Sequence, residues 1–143
     1  MLSDRLRTYS LWSVRGLLAL LFAVSGVGKL IDGQSAAHLT RTILNGTVGP
    51  AEAHGLVVAV SGAEVVLSGL LIWGRRLRWA FGVSFGLVAG FTVGLAALLG
   101  GEGVAPCGCF GAFSLGLSLE ATLLRNLGVL ALALVGFLLA DID

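Results

Sequence analysis

The chain has 143 residues, of which 57% are hydrophobic and 12% charged, with a formal net charge of +1. One domain fits this length, and a soluble domain of that size has no interior large enough for so much apolar surface, so the composition predicts an integral membrane protein lying in the lipid bilayer. The near-neutral balance excludes a general electrostatic attraction to nucleic acid.

Met1 to Ser10 is polar and carries Arg5 and Arg7. An apolar run follows over about residues 11–31, with Arg15 near its start and Lys29 near its end. It is long enough to span a bilayer, for which about 20 residues suffice. A positive stretch ahead of an apolar one also suits a cleaved secretory leader, but no small-x-small cleavage site closes this run. Asp32 to Gly49 is the longest polar stretch. Within it, Ser35 to Leu44 predicts a short amphipathic helix with Ala36, Leu39, Ile43 and Leu44 on one face, ended by Asn45-Gly46.

A second span is expected over about 55–74, its helix opening at Pro50 or at Gly55, with Glu64 near the middle. Arg75, Arg76 and Arg78 mark a tight basic turn. So short a connection predicts that the second and third spans are antiparallel neighbours. The third span, about 77–99, repeats glycine every fourth residue at Gly82, Gly86, Gly90 and Gly94. That stripe predicts close approach of a neighbouring helix; a ligand groove is the competing reading. The fourth span covers about 119–140 and carries Arg125 and Asn126 early. The fold class expected is all-α, a four-transmembrane-helix bundle formed by one domain over 1–143.

Four spans put both termini on one side, with Arg5, Arg7, Arg15, Arg75, Arg76 and Arg78. Lys29, Arg41 and Arg125 fall on the other. The basic excess places the termini in the cytoplasm. The stretch between the third and fourth spans then faces the periplasm or exterior, where disulfides form and exchange. That stretch holds the chain's two cysteines, in Pro106-Cys107-Gly108-Cys109-Phe110-Gly111. A disulfide between residues two apart closes a very small ring. Glycine relieves part of the strain, and what remains makes the bond easy to reduce. As a staple it would constrain the unfolded chain very little. The spacing therefore favours thiol exchange over a structural role, with Phe110 as an apolar contact beside the pair. The competing chemistry is copper or zinc held by two thiolates with His38 or His54. Neither histidine adjoins the pair, the four-ligand zinc spacing is absent, and the expectation is no metal.

A carboxylate near the bilayer midplane costs about 3 kcal/mol and needs a partner or a task. Glu64 is expected to pair with Lys29, Arg125 or both, either as glue between helices or as a proton-exchanging group. His38 and His54 read as loop residues. Trp12, Trp73 and Trp79 read as interfacial anchors.

Several of these residues together resemble the MauE/DoxX group of small redox-associated membrane proteins. Cys107-Gly108-Cys109-Phe110-Gly111 is the most specific element. Gly26-Val27-Gly28-Lys29-Leu30 closing the first span, Glu64 in the second and Arg125-Asn126 opening the fourth agree with it. The resemblance covers nearly the whole chain. It implies a bundle in the bacterial inner (cytoplasmic) membrane, engaged in extracytoplasmic thiol-disulfide chemistry. Members named for methylamine utilisation are associated with maturing a disulfide-rich dehydrogenase subunit beside a thioredoxin-like partner; DoxX-like members are linked to quinone reduction and oxidative-stress complexes. Carried over, Cys107 and Cys109 are the redox pair, and Lys29, Glu64, Arg125 and Asn126 line the site.

The first expectation is thus a membrane thiol-disulfide oxidoreductase acting on a thioredoxin-like extracytoplasmic protein. With one cysteine pair, its electrons pass to a quinone, lying against the glycine face of the third span, or the loop becomes reachable from the cytoplasm. Two alternatives stand beside it: a non-catalytic subunit or assembly factor of a larger membrane complex, and a small proton-coupled transporter using Glu64.

Overall fold

The computed structural model describes residues 2–97 and 119–140. Cys107, Cys109 and Phe110 lie outside the described residues. Among the described residues the regular structure is helical throughout: α1 (Leu2–Ile31), α2 (Gln34–Ile43), α3 (Pro50–Trp73), α4 (Leu77–Ala97) and α5 (Leu119–Ala140). Four of these, α1, α3, α4 and α5, are long and apolar enough to cross a membrane. Helix α1 begins well before the apolar run, because its polar first turns continue the same helix. The expected amphipathic helix is α2, with Ala36 and Leu39 buried.

Local chemistry sets the boundaries. Pro50 occupies the first turn of α3, where its missing N–H leaves nothing unpaired, and the Gly49 N–H donates to the Glu52 carboxylate at 2.8 Å. Gly74 stops α3 with φ of 77°, a left-handed conformation that costs glycine little. Asn45 and Gly46 both take positive φ at the turn after α2.

Helix α1 packs along α3, and α4 packs antiparallel along α5; contacts between the two pairs are fewer. The expected close pairing of α3 with α4 is therefore only partly realised. They are joined by a short turn, but α3 gives its buried face to α1. There the Ser68 hydroxyl donates to the Ala19 carbonyl at 2.7 Å. A Cβ added at Gly26 would come within 2.9 Å of the Ser61 carbonyl oxygen, so glycine sets the approach of the two backbones. The α4 stripe behaves differently from expectation. Added Cβ atoms at Gly86 and Gly90 would meet nothing within 4 Å, and those at Gly82 and Gly94 would meet only the Phe137 and Ile43 side chains. Among the described residues no helix backbone approaches that stripe within 4 Å of an added Cβ.

The main apolar core fills the half of the bundle nearest the start of α1, around Leu18, Phe22, Leu71 and Phe81. At that end α3 and α5 finish, and arginines of α1 meet their last carbonyls. Arg15 donates from Nε to the Leu71 oxygen at 2.9 Å and from Nη2 to the Ile72 oxygen at 3.0 Å. Arg7 Nη2 donates to the Leu139 oxygen at 3.1 Å. Cations suit helix C-termini, where unpaired carbonyls gather negative charge. Trp12, Trp73 and Trp79 are exposed at this end, and the Arg15 guanidinium lies 4.4 Å from the centre of the Trp12 ring. A second, smaller apolar cluster of Leu39 and Leu95 closes the opposite end. The polar site lies between the two clusters.

Candidate functional site

Gly26 and Lys29 are three residues apart in α1 and share a face. The close approach at Gly26 therefore carries Lys29 to α3. Its ammonium Nζ donates to Glu64 Oε1 at 2.6 Å, with both side chains about 5% exposed (6% and 5%). Glu64 is about 21 Å along α3 from Pro50, at 1.5 Å per residue, and so near the middle of the span. An isolated charge there is costly, and each member of the pair offsets the other. The pairing is incomplete. Glu64 Oε2 is buried and has no hydrogen-bond partner among the described residues. An ammonium has three donors. Among the described residues that of Lys29 has one acceptor, Glu64, and it also lies 5.7 Å from the centre of the Phe91 ring.

Helix α5 brings the remaining polar groups. Arg125 Nη2 donates to Asn126 Oδ1 at 3.2 Å, and Asn126 is buried. Ser25, Lys29, Glu64, Phe91, Arg125 and Asn126 surround a cavity of about 60 Å³. Its volume and the polar groups among its otherwise apolar lining suit a small number of ordered waters, which would also give Glu64 Oε2 a partner. Two cations, Lys29 and Arg125, and one carboxylate, Glu64, share the lining with Ser25 and Asn126.

A second, larger space adjoins it. Where α3 and α4 part, a groove of about 370 Å³ opens beneath α2, lined by Val57, Val60, Gly86, Gly90 and Gly94 among others. Lys29, Leu87 and Phe91 line both spaces and form the wall between them.

Of the residues singled out in the sequence, Lys29, Glu64, Arg125 and Asn126 are brought together. Cys107, Cys109 and Phe110 lie outside the described residues, but Ala97 and Leu119, which flank their segment, both lie at the α2 end of the bundle, where Leu95 packs near Leu123. His38 and His54 correct their reading as loop residues: His38 is in α2 and His54 in the second turn of α3, both exposed. Among the described residues no group of three or more His, Cys, Asp or Glu could hold a metal ion. Sequence reasoning missed Ser25 and Phe91. Ser25 was detectable, four residues before Lys29 on the same face; Phe91 carries no signal beyond being an apolar residue in an apolar helix.

A family model described as methylamine utilisation protein MauE matches residues 7–139. The chain belongs to the MauE family. The matched region runs from Arg7 to Leu139, the two residues joined by a hydrogen bond that closes α1 on α5, and so takes in the entire bundle. No curated protein and no solved structure matches the chain. With its four apolar helices, this MauE-family chain is an integral membrane protein.

Proposed function

We propose that this MauE-family protein exchanges disulfides with a thioredoxin-like protein outside the cytoplasm, through Cys107 and Cys109. The carrying observation is that Lys29, Glu64, Arg125 and Asn126 surround one cavity in the half of the bundle from which the cysteine-bearing segment leaves and to which it returns. The arginine-rich end faces the cytoplasm of a bacterial inner membrane, following the basic excess there. In the exchange, a thiolate of the pair attacks a sulfur of the partner's disulfide. One S–S bond forms as another breaks, giving a mixed disulfide. The second cysteine then attacks the first, and the partner leaves as a dithiol with two electrons and, after protonation, two protons. The reverse sequence oxidises the partner. Phe110 offers the partner an apolar contact. Glu64 exchanges protons with water in the cavity, held in place by Lys29. A bilayer quinone takes up two electrons and two protons from the pair when the pair oxidises the partner, and a quinol returns them when the pair reduces it.

Mixed-disulfide trapping tests this reading. Cys107→Ser and Cys109→Ser are expressed singly in the native membrane, quenched in acid, alkylated and resolved on non-reducing gels with mass spectrometry. One variant is expected to capture a thioredoxin-like protein that the double variant loses. No adduct from either, in cells that need the protein, overturns it.

A further inference from the structure

We infer that the arginine-rich end of the bundle holds an anionic phospholipid in the groove between α4 and α5, with Arg78 at its phosphate and Gly82, Val83 and Phe137 along an acyl chain. The site is separate from the Lys29–Glu64 cavity and independent of the thiol chemistry.

The arginines at this end divide into two sets. Arg7 and Arg15 donate to the last carbonyls of α5 and α3. Arg75 and Arg76 are exposed and hold no ion pair among the described residues. The turn itself does not account for arginine at position 76: its φ is 54°, a left-handed conformation that glycine or asparagine adopts at less cost. Arg78 follows in the first turn of α4, exposed, with its guanidinium 5.2 Å from the centre of the Phe137 ring of α5. That contact holds the cation over the seam between the two helices. Along the seam runs a groove of about 590 Å³ lined by Arg78, Trp79, Gly82, Val83 and Phe137. Gly82 and Phe137 form its floor, since a Cβ on Gly82 would meet only the Phe137 ring, at 3.8 Å.

Depth selects the occupant. Gly82 and Val83 come four and five residues after Arg78, so they lie about 6–7 Å further along α4. Helix α4 crosses the membrane, and both Trp79 and Val83 are exposed on it. Trp79 marks the level of the headgroups, and the groove below it opens on lipid. A cation above an apolar trough repeats the order of groups in a phospholipid, phosphate first and hydrocarbon beneath. A soluble anion would leave the apolar floor uncovered. A partner helix laid in the groove would bury Arg78 and bring no charge to meet it, which is costly. The charge then chooses among lipids. Three arginines within four positions, Arg75, Arg76 and Arg78, favour a headgroup with net negative charge over a zwitterionic one, whose ammonium they repel. The guanidinium fork matches two phosphate oxygens.

Native mass spectrometry of the detergent-purified protein tests this. Phosphatidylglycerol is titrated against phosphatidylcholine with the same chains, and saturable binding selective for the anionic lipid is expected. Photoreactive phosphatidylglycerol in vesicles, followed by peptide mapping, should label α4 near Val83 or α5 near Phe137. Arg78→Gln should weaken binding about tenfold, and Arg78→Lys, which keeps the charge and loses the fork, should recover part of it. Arg5→Gln, exposed at the same end but outside the groove, should leave binding unchanged. Gly82→Leu keeps every charge and fills the groove floor, so it should also weaken binding while the thermal transition is retained. Equal uptake of the two lipids, equal losses in Arg78→Gln and Arg5→Gln, or full binding by Gly82→Leu overturns the site. Displacement of the lipid by an equal concentration of inorganic phosphate overturns it in favour of a bare anion site.

Discussion

Arg15 and Lys29 are both buried cations of α1, fourteen positions apart, yet they are used in opposite ways. Arg15 spends two donors on the Leu71 and Ile72 carbonyls and lays its guanidinium over Trp12. Its acceptors are the fixed end of a helix, and their partial charges need no proton to balance them. Lys29 instead meets a carboxylate, which retains a second oxygen without a partner among the described residues and opens on a cavity. The first arrangement has one low-energy state. The second keeps an acceptor open to a water in the cavity. A buried cation on a backbone cap is architecture; a buried cation on an ionisable group beside a cavity can take part in chemistry.

The largest effect expected on this contrast comes from Lys29→Ala. It leaves Glu64 buried without its cation and should cost about 3–5 kcal/mol, read as loss of folded protein after mild heating in detergent. Exchanging the two charges, Lys29→Glu with Glu64→Lys, should recover part of it. If Lys29→Ala proves as harmless as a lipid-facing substitution, the pair is not what holds this half of the bundle. Glu64→Gln should fold, because it keeps an acceptor for Lys29, and should lose thiol turnover. Full turnover in Glu64→Gln would remove the proton role and leave the pair as structural.

Gly26→Val is next. Its side chain would meet the Ser61 carbonyl, which cannot move aside within a helix, and about 3 kcal/mol is expected, toward the upper end for overpacking. Because Gly26 sets the distance between Lys29 and Glu64, this variant should lose turnover as well as stability. Arg15→Ala should cost about 2 kcal/mol through its lost charge-assisted hydrogen bonds, with turnover of the remaining folded protein unchanged. A turnover defect there would mean that the two ends are coupled. Ser68→Ala, which removes one hydrogen bond between α1 and α3, should cost about 0.6 kcal/mol in the thermal transition.

Much of this was readable from the sequence, for identifiable reasons. Span lengths follow from hydropathy, and α2 from apolar residues spaced along one face. The Lys29–Glu64 pair was foreseeable because a midplane carboxylate restricts its partners to the few cations at similar depth. The glycine stripe misled because periodicity reports which face is smooth, not what lies on it. A helix backbone and an open groove favour the same four glycines, and only the commitment of α3 to α1 separates them. Arg15 was counted as a topological charge, since hydropathy treats a residue near a span end as an interface residue. Its capping of α3 depends on where a helix distant in sequence finishes. Phe91 was invisible because an aromatic in an apolar helix is distinguished only by its neighbours.

The length of α1 has a practical consequence. Its 30 residues extend about 45 Å, against a hydrocarbon layer of about 30 Å. Leu11 still belongs to the core and Arg7 still grips the Leu139 carbonyl near the end of α5, so only the first turn of α1 continues as helix past these contacts. A helical carrier protein fused in register to that extension would move as one body with the bundle. For a chain of 143 residues, too small to align by itself in electron-microscope images, α1 is a ready-made mount for a fiducial.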